Sequence, residues 1–238
     1  MSVMADRRER LGGDFEVCRH ERIRRGSAEY ERILVRTPWL GPDDDLVDVA
    51  RVAMTPICRP TDTVFVAEKL VVLLSGQAVP AATLRPGWVA RLLAPRVQPH
   101  GDSLGLSIPA KMQYVVEHAG ALRVVLAAAA AAATRPLGVR GVFYRLAGSL
   151  ARDLDGMRPP YLDTLLPPLA PHVAVRWCER LASRLGAEVA IVDINDRGGT
   201  VRARSLHALP TTEILSVLQD NPLGHCEQAT PFGLLRPL

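Results

Sequence analysis

The chain lacks the residue spacings that announce zinc sites and the usual phosphate loops. Its four cysteines, Cys18, Cys58, Cys178 and Cys226, include no CxxC pair. That argues against a zinc site of ordinary ligand spacing and against a disulfide framework, and it fits a reducing cytoplasm. The six histidines show neither HxxxH nor HExxH spacing, so a zinc hydrolase is disfavoured. Neither a Walker-type GxxxxGK loop nor a GxGxxG turn behind a strand occurs, so any bound nucleotide is held without the usual phosphate loops. Aromatic residues make up 5% of the chain, too few for a base-stacking platform. Lysine is scarce as well: Lys69 and Lys111 are the only two among 29 basic residues. Each therefore stands out as a phosphate-binding point charge, although a buried ion pair explains either equally well.

Long apolar runs are missing too. The richest, residues 124–133, is mostly alanine and too short to span a bilayer, so no membrane partner is expected. The arginine-rich start is interrupted by acidic residues and followed by no apolar stretch, which points away from a secretory leader and towards a cytoplasmic location. What is present is a hydrophobic fraction of 48% over 238 residues, enough for a sizeable core in one large domain or two interlocked ones. The net charge of +4 owes much to Arg7, Arg8, Arg10, Arg19, Arg22, Arg24 and Arg25. Residues 1–30 read as a solvated basic arm ahead of a domain over 31–238, with nucleic acid disfavoured as a partner.

Along the chain, residues 31–37 alternate like a half-buried strand, and Asp43-Asp44-Asp45 supplies an acidic start for a helix over 46–54. Residues 62–67 read as a buried strand that runs into Glu68-Lys69 and the apolar stretch 70–74. A helix is expected over 111–119, closed by Gly120. The seven alanines 127–133 read as a helix built for close backbone approach. Val173, Trp177, Leu181 and Leu185 recur every four residues, giving an amphipathic helix capped by Gly186. It feeds a buried strand over 188–192, and a short helix follows at 212–219. Strands and helices alternate around a turn-rich middle, which predicts a mixed α/β or α+β architecture.

The polar clusters lie at the ends of these elements. Asp193, Asn195 and Asp196 precede Gly198-Gly199, where hard cations find carboxylate and amide oxygens. Taken alone, the same pattern favours an Asx-turn that ends a strand. Asp153, Asp155 and Asp163 surround Gly156 and a Pro159-Pro160 turn, and they too read first as turn chemistry. Residues 220–231 pack Asp220, Asn221, Glu227, Gln228 and Thr230 between two prolines, as expected of a structured loop presenting ligating groups.

Taken in order, these segments resemble the coenzyme F420-0:L-glutamate ligase family, the gamma-glutamyl ligases of the deazaflavin coenzyme. The resemblance covers residues 32–236. It is carried by Arg36-Thr37 with Asp44-Asp45-Leu46, Asp62 with Glu68-Lys69, Pro86-Gly87-Trp88, Pro109-Ala110-Lys111-Met112-Gln113, Arg140-Gly141 with Ala147-Gly148, Asp155-Gly156, Asp193 to Asp196, and Asp220-Asn221-Pro222 with Glu227-Gln228. It implies a ligase-like α+β fold in an intertwined homodimer. It also implies a GTP-dependent amide ligase with manganese or magnesium at the nucleotide phosphates and potassium as a companion ion. On the resemblance, Lys69 and Asp193 are the catalytic positions, and Lys69, Lys111, Asn195 and Gln228 hold the nucleotide. Asp155, Asp193, Asp196 and Glu227 hold metal, the ligand in the 193–196 stretch falling on Asp193, Asn195 or Asp196. Leu146 stands where the family has an asparagine, a departure that bears on the substrate. The implied substrates are an acid acceptor and an amino-acid donor, glutamate by default. The alternatives are a related ligase with other substrates and a non-catalytic nucleotide- or deazaflavin-binding protein on the same scaffold.

Overall fold

The computed structural model describes residues 14–98, 105–159, 161–196, 198–224 and 229–238. The chain begins with a hairpin, β1 (Glu16–Arg25) and β2 (Ala28–Arg36), then α1 (Leu46–Met54), β3 (Thr63–Ala67) and α2 (Glu68–Leu74). A middle stretch holds β4 (Val79–Pro80), α3 (Trp88–Leu93), α4 (Pro109–Ala119), α5 (Ala121–Thr134), α6 (Val142–Ala147), α7 (Ser149–Asp153), β5 (Asp155–Arg158) and β6 (Tyr161–Leu166). It closes with α8 (Pro171–Leu185), β7 (Glu188–Asn195), β8 (Gly198–Arg204), α9 (Thr211–Val217) and β9 (Phe232–Pro237). The result is a mixed α+β architecture divided into two compact units, residues 1–77 with 169–238, and residues 78–168.

The first unit is built on a six-stranded sheet of order β1-β2-β9-β3-β7-β8. Only β3 and β7 run parallel, paired from Thr63↔Glu188 to Ala67↔Val192. The β3 and β7 runs are apolar without alternation because both faces are covered. Phe65, Ala190, Val192 and Leu235 pack with Ile214, Val217 and Leu218 of the α9 region. By the pleat, Val64, Val66, Val189 and Ile191 face the other way, and they are fully buried as well. Helices α1 and α8 pack on this sheet and on each other. Asp45 caps α1 by accepting a hydrogen bond from Asp48 N at 2.9 Å. Strand β9 passes through the middle of the sheet, and its Gly233 leaves room for the Phe65 ring: a Cβ there would lie 2.4 Å from Phe65 Cζ.

Two arginine networks tie the edges of this sheet. Arg32, 1% exposed, donates to Glu21 Oε1 and, in a fork, to both Asp220 oxygens at 2.6 Å, and it also reaches Val217 O. Arg32 holds the Asp220 carboxyl below the usual carboxylate range. Arg236 grips the fully buried Asp62 with two bonds of 2.8 Å and donates to Glu31 at 2.5 Å. Strand β1 lies inside the stretch read as a solvated arm. Arg19, Arg22, Arg24 and Arg25 are on this edge strand, and Arg25 donates to Ser216 O at 2.7 Å. The apolar run 70–74 that follows the Glu68-Lys69 pair forms helix α2.

The second unit pairs a three-stranded sheet, β4-β6-β5, with helices α3 to α7. Leu106, Met112, Val115, Val124, Leu154 and Leu165 are central to its core. Gly120, at φ 89°, ends α4 and starts α5, a junction that only glycine makes without strain. The alanine run forms a helix, as its high propensity dictates, yet only Val124 and Ala127 of α5 are buried. Among the described residues no single helix is long and apolar enough to cross a membrane.

Candidate functional site

Where parallel pairing between β3 and β7 stops, the next residues are Glu68, which opens α2, and Asp193 on β7. The ends of adjacent parallel strands are a recurrent place for ligand chemistry in α/β sheets. Strand β7 does not stop there. It continues to Asn195 against β8, with Asp193 opposite Thr200 and Asn195 opposite Gly198. Asp193 is therefore a strand residue inside a hairpin, whereas the sequence placed it in a loop after the strand. The β7–β8 register shifts between Ile191↔Ala203 and Val192↔Val201, leaving Arg202 as the extra residue of a bulge. Bulges re-aim side chains. Here Arg202 Nε donates to Glu68 Oε2 at 2.8 Å and Nη2 donates to Asp193 Oδ2 at 3.2 Å.

Glu68 is the innermost member. Its side chain is 6% exposed, against 19% for Arg202 and 28% for Asp193. Its other oxygen accepts the Leu169 amide at 2.8 Å. Burial pushes the Glu68 carboxyl above its ordinary range, and Leu169 N–H and Arg202 pull it only part of the way back. Lys69, the next residue, is exposed in the first turn of α2. At the hairpin tip Asn195 and Asp196 are exposed, and Asp196 Oδ1 accepts from Asn221 Nδ2 at 2.7 Å. The same unit thus joins the Asp193–Asp196 hairpin to the proline-braced segment that begins at Asp220, although Asp220 itself is spent on Arg32. Thr230 of that segment donates to Leu223 O at 2.7 Å, an internal brace.

The remaining expected site residues fall elsewhere. Lys111 is buried on α4, and Asp155 opens β5 with its Oδ1 accepting the Gly156 amide at 2.8 Å; both belong to the second unit. Glu227 and Gln228 lie outside the described residues. Among the described residues no group of three or more His, Cys, Asp or Glu is arranged to hold a metal ion. The Glu68–Asp193 pair does not fit a divalent cation as it stands, because a guanidinium already bridges the two carboxylates. Cys178 offers no nucleophile either, since burial pushes its thiol up to about 12.

No family model matches the chain, and no curated protein matches its sequence. The site is therefore defined by its own geometry: an inner buried carboxyl, an outer carboxylate, a bridging arginine and an exposed lysine where the parallel pairing of two strands stops. Sequence reading found Glu68-Lys69 and Asp193 but missed Arg202. The signal for it was the Asp196-Arg197-Gly198-Gly199 turn, which marks a hairpin and so places the alternating residues 200–204 on a partner strand.

Proposed function

We propose that the protein is a nucleotide-dependent carboxylate–amine ligase, with glutamyl transfer to a deazaflavin precursor as the default reaction. The observation that carries this reading is the placement of Glu68, with Lys69 next to it in sequence, and Asp193 where the parallel pairing of β3 and β7 stops. A carboxylate is a poor electrophile until one of its oxygens becomes part of a leaving group. In the first step the acid's oxygen attacks the terminal phosphorus of GTP or ATP, and the nucleoside diphosphate departs. In the second, the amine attacks the acyl carbon, inorganic phosphate departs and the amine gives up a proton. The nucleotide enters as its magnesium or manganese complex, so that ion belongs to the substrate.

The roles of the residues follow from charge and exposure. Lys69 offers a mobile point charge to the transferring phosphoryl group. Asp193, the more exposed carboxylate of the bridged pair, is the one within reach of an incoming ammonium, while buried Glu68 holds Arg202 from behind. The functional dimer is the intertwined one that the resemblance implies.

The test is the release of GDP or ADP by the full-length protein with acid and amine supplied singly and together. Release that requires both substrates, and that falls by about 100-fold or more in Asp193→Ala and Lys69→Ala, is expected. Undiminished turnover in Asp193→Ala would sink the assignment. Tight nucleotide or deazaflavin binding without diphosphate release under any pairing would replace it with a non-catalytic binding protein.

A further inference from the structure

The Glu68–Arg202–Asp193 bridge supports a conclusion that does not depend on the ligase reading. We propose that Arg202 is the resident cation of the strand-end site, standing where a divalent metal would otherwise be held, and that its presence keeps Glu68 and Asp193 from acting as metal ligands. Three observations converge. Arg202 reaches both carboxylates through different nitrogens, 2.8 Å to Glu68 and 3.2 Å to Asp193, so one rigid fork satisfies the pair. It is the extra residue of the bulge in the β7–β8 register, a backbone feature of the kind that re-aims side chains. Its side chain is 19% exposed and Glu68 is 6% exposed, so expelling the guanidinium would leave a sheltered positive charge without its partners.

A hard divalent cation makes different demands. It needs about six oxygen ligands, and the bridge supplies two carboxylates, one of which spends its second oxygen on the Leu169 amide. The guanidinium meets the same two charges with hydrogen bonds alone and carries its charge at every accessible pH. Asp193, the more exposed of the two carboxylates, is the one open to a cationic or ammonium-bearing group.

Manganese titration of the full-length protein, read from the electron paramagnetic resonance signal of the free ion, tests this without any activity assay. In the wild type, Asp193→Asn is expected to leave manganese binding unchanged. Arg202→Gln is expected to gain one site, about tenfold or more tighter than any in the wild type, and Arg202→Gln/Asp193→Asn is expected to lose it again. Arg202→Lys, which keeps a charge in place, should behave as the wild type. A wild-type site that disappears in Asp193→Asn overturns the proposal, and so does a folded Arg202→Gln protein that gains no site. If Arg202→Gln does not fold by circular dichroism, the wild-type against Asp193→Asn comparison still decides.

Discussion

The two compact units differ in the charge networks that hold them and in how their apolar helix faces are covered. In the first, Arg32, Asp62, Glu68 and Arg236 are all buried, and each has charge-bearing partners at hydrogen-bond distance. In the second, Leu122, Leu126 and Leu137 are 73%, 59% and 77% exposed, and a shallow groove is lined by Leu122, Arg123, Leu126, Ala127 and Leu146. A buried ion pair contributes little net stability because desolvation opposes the Coulomb attraction, but losing one partner is expensive. The networks of the first unit thus act as register pins between sequence-distant segments: Arg32 joins β1 and β2 to Asp220, and Arg236 joins β9 to the turn before β3. An exposed leucine pins nothing. Buried charge partners help to specify the first unit, and the α5 leucines add nothing comparable to the second.

The sharpest way to break that comparison is to remove a pin. Asp62 is fully buried and accepts from Arg236 twice and from the Arg59 amide at 2.8 Å. Asp62→Ala leaves the Arg236 guanidinium short of a partner and is expected to cost about 3–5 kcal/mol in urea unfolding. A loss below about 1 kcal/mol would show that the networks decorate the first unit and do not specify it.

In the second unit the comparable constraint is steric. Gly156 sits at φ 92°, and a Cβ there would lie 2.3 Å from Thr164 O on the paired strand β6. Gly156→Ala therefore meets backbone, which cannot rotate aside, and also adopts a conformation that L-residues avoid. A loss of about 2–3 kcal/mol in thermal unfolding is expected. Wild-type stability in that variant would mean that β5 and β6 are loosely paired and that even the core of the second unit is weakly specified.

The same contrast explains what the sequence revealed. Helices α1, α4 and α8 were legible because local signals agree: Asp45 caps α1, Gly120 and Gly186 end the other two, and Val173, Leu181 and Leu185 are buried as their spacing predicts. Trp177 departs from that face and stacks under Arg180 at 4.9 Å. Strand β9 received no reading because a glycine in its middle gives no local strand signal, whereas Gly233 is there to admit Phe65 from a strand more than 150 residues earlier. Strand β1 was hidden by its charges, which make sense only once Glu21 faces Arg32 across the hairpin. At the site, Asp193 and Lys69 were visible as residues, but the partner of Asp193 was not. Arg202 is the extra residue of a bulge, and a bulge is a property of two strands together. Sequence-local chemistry was readable, and non-local pairing was not.

The smallest effect should come from the exposed face of α5, and its smallness is what makes it informative. Leu126 projects from a helix of which only Val124 and Ala127 are buried. In the isolated chain Leu126→Ser removes no buried contact, so stability should stay within about 0.5 kcal/mol of the wild type. What should change is the binding of an apolar fluorescent dye, which reads exposed hydrophobic surface directly, and it should fall. Should Leu126→Ser instead cost more than about 2 kcal/mol, the leucine is covered in solution and the contrast between the units disappears. If both readings hold, α5 keeps an apolar face open, and the helix of alanines owes its form chiefly to its own propensity.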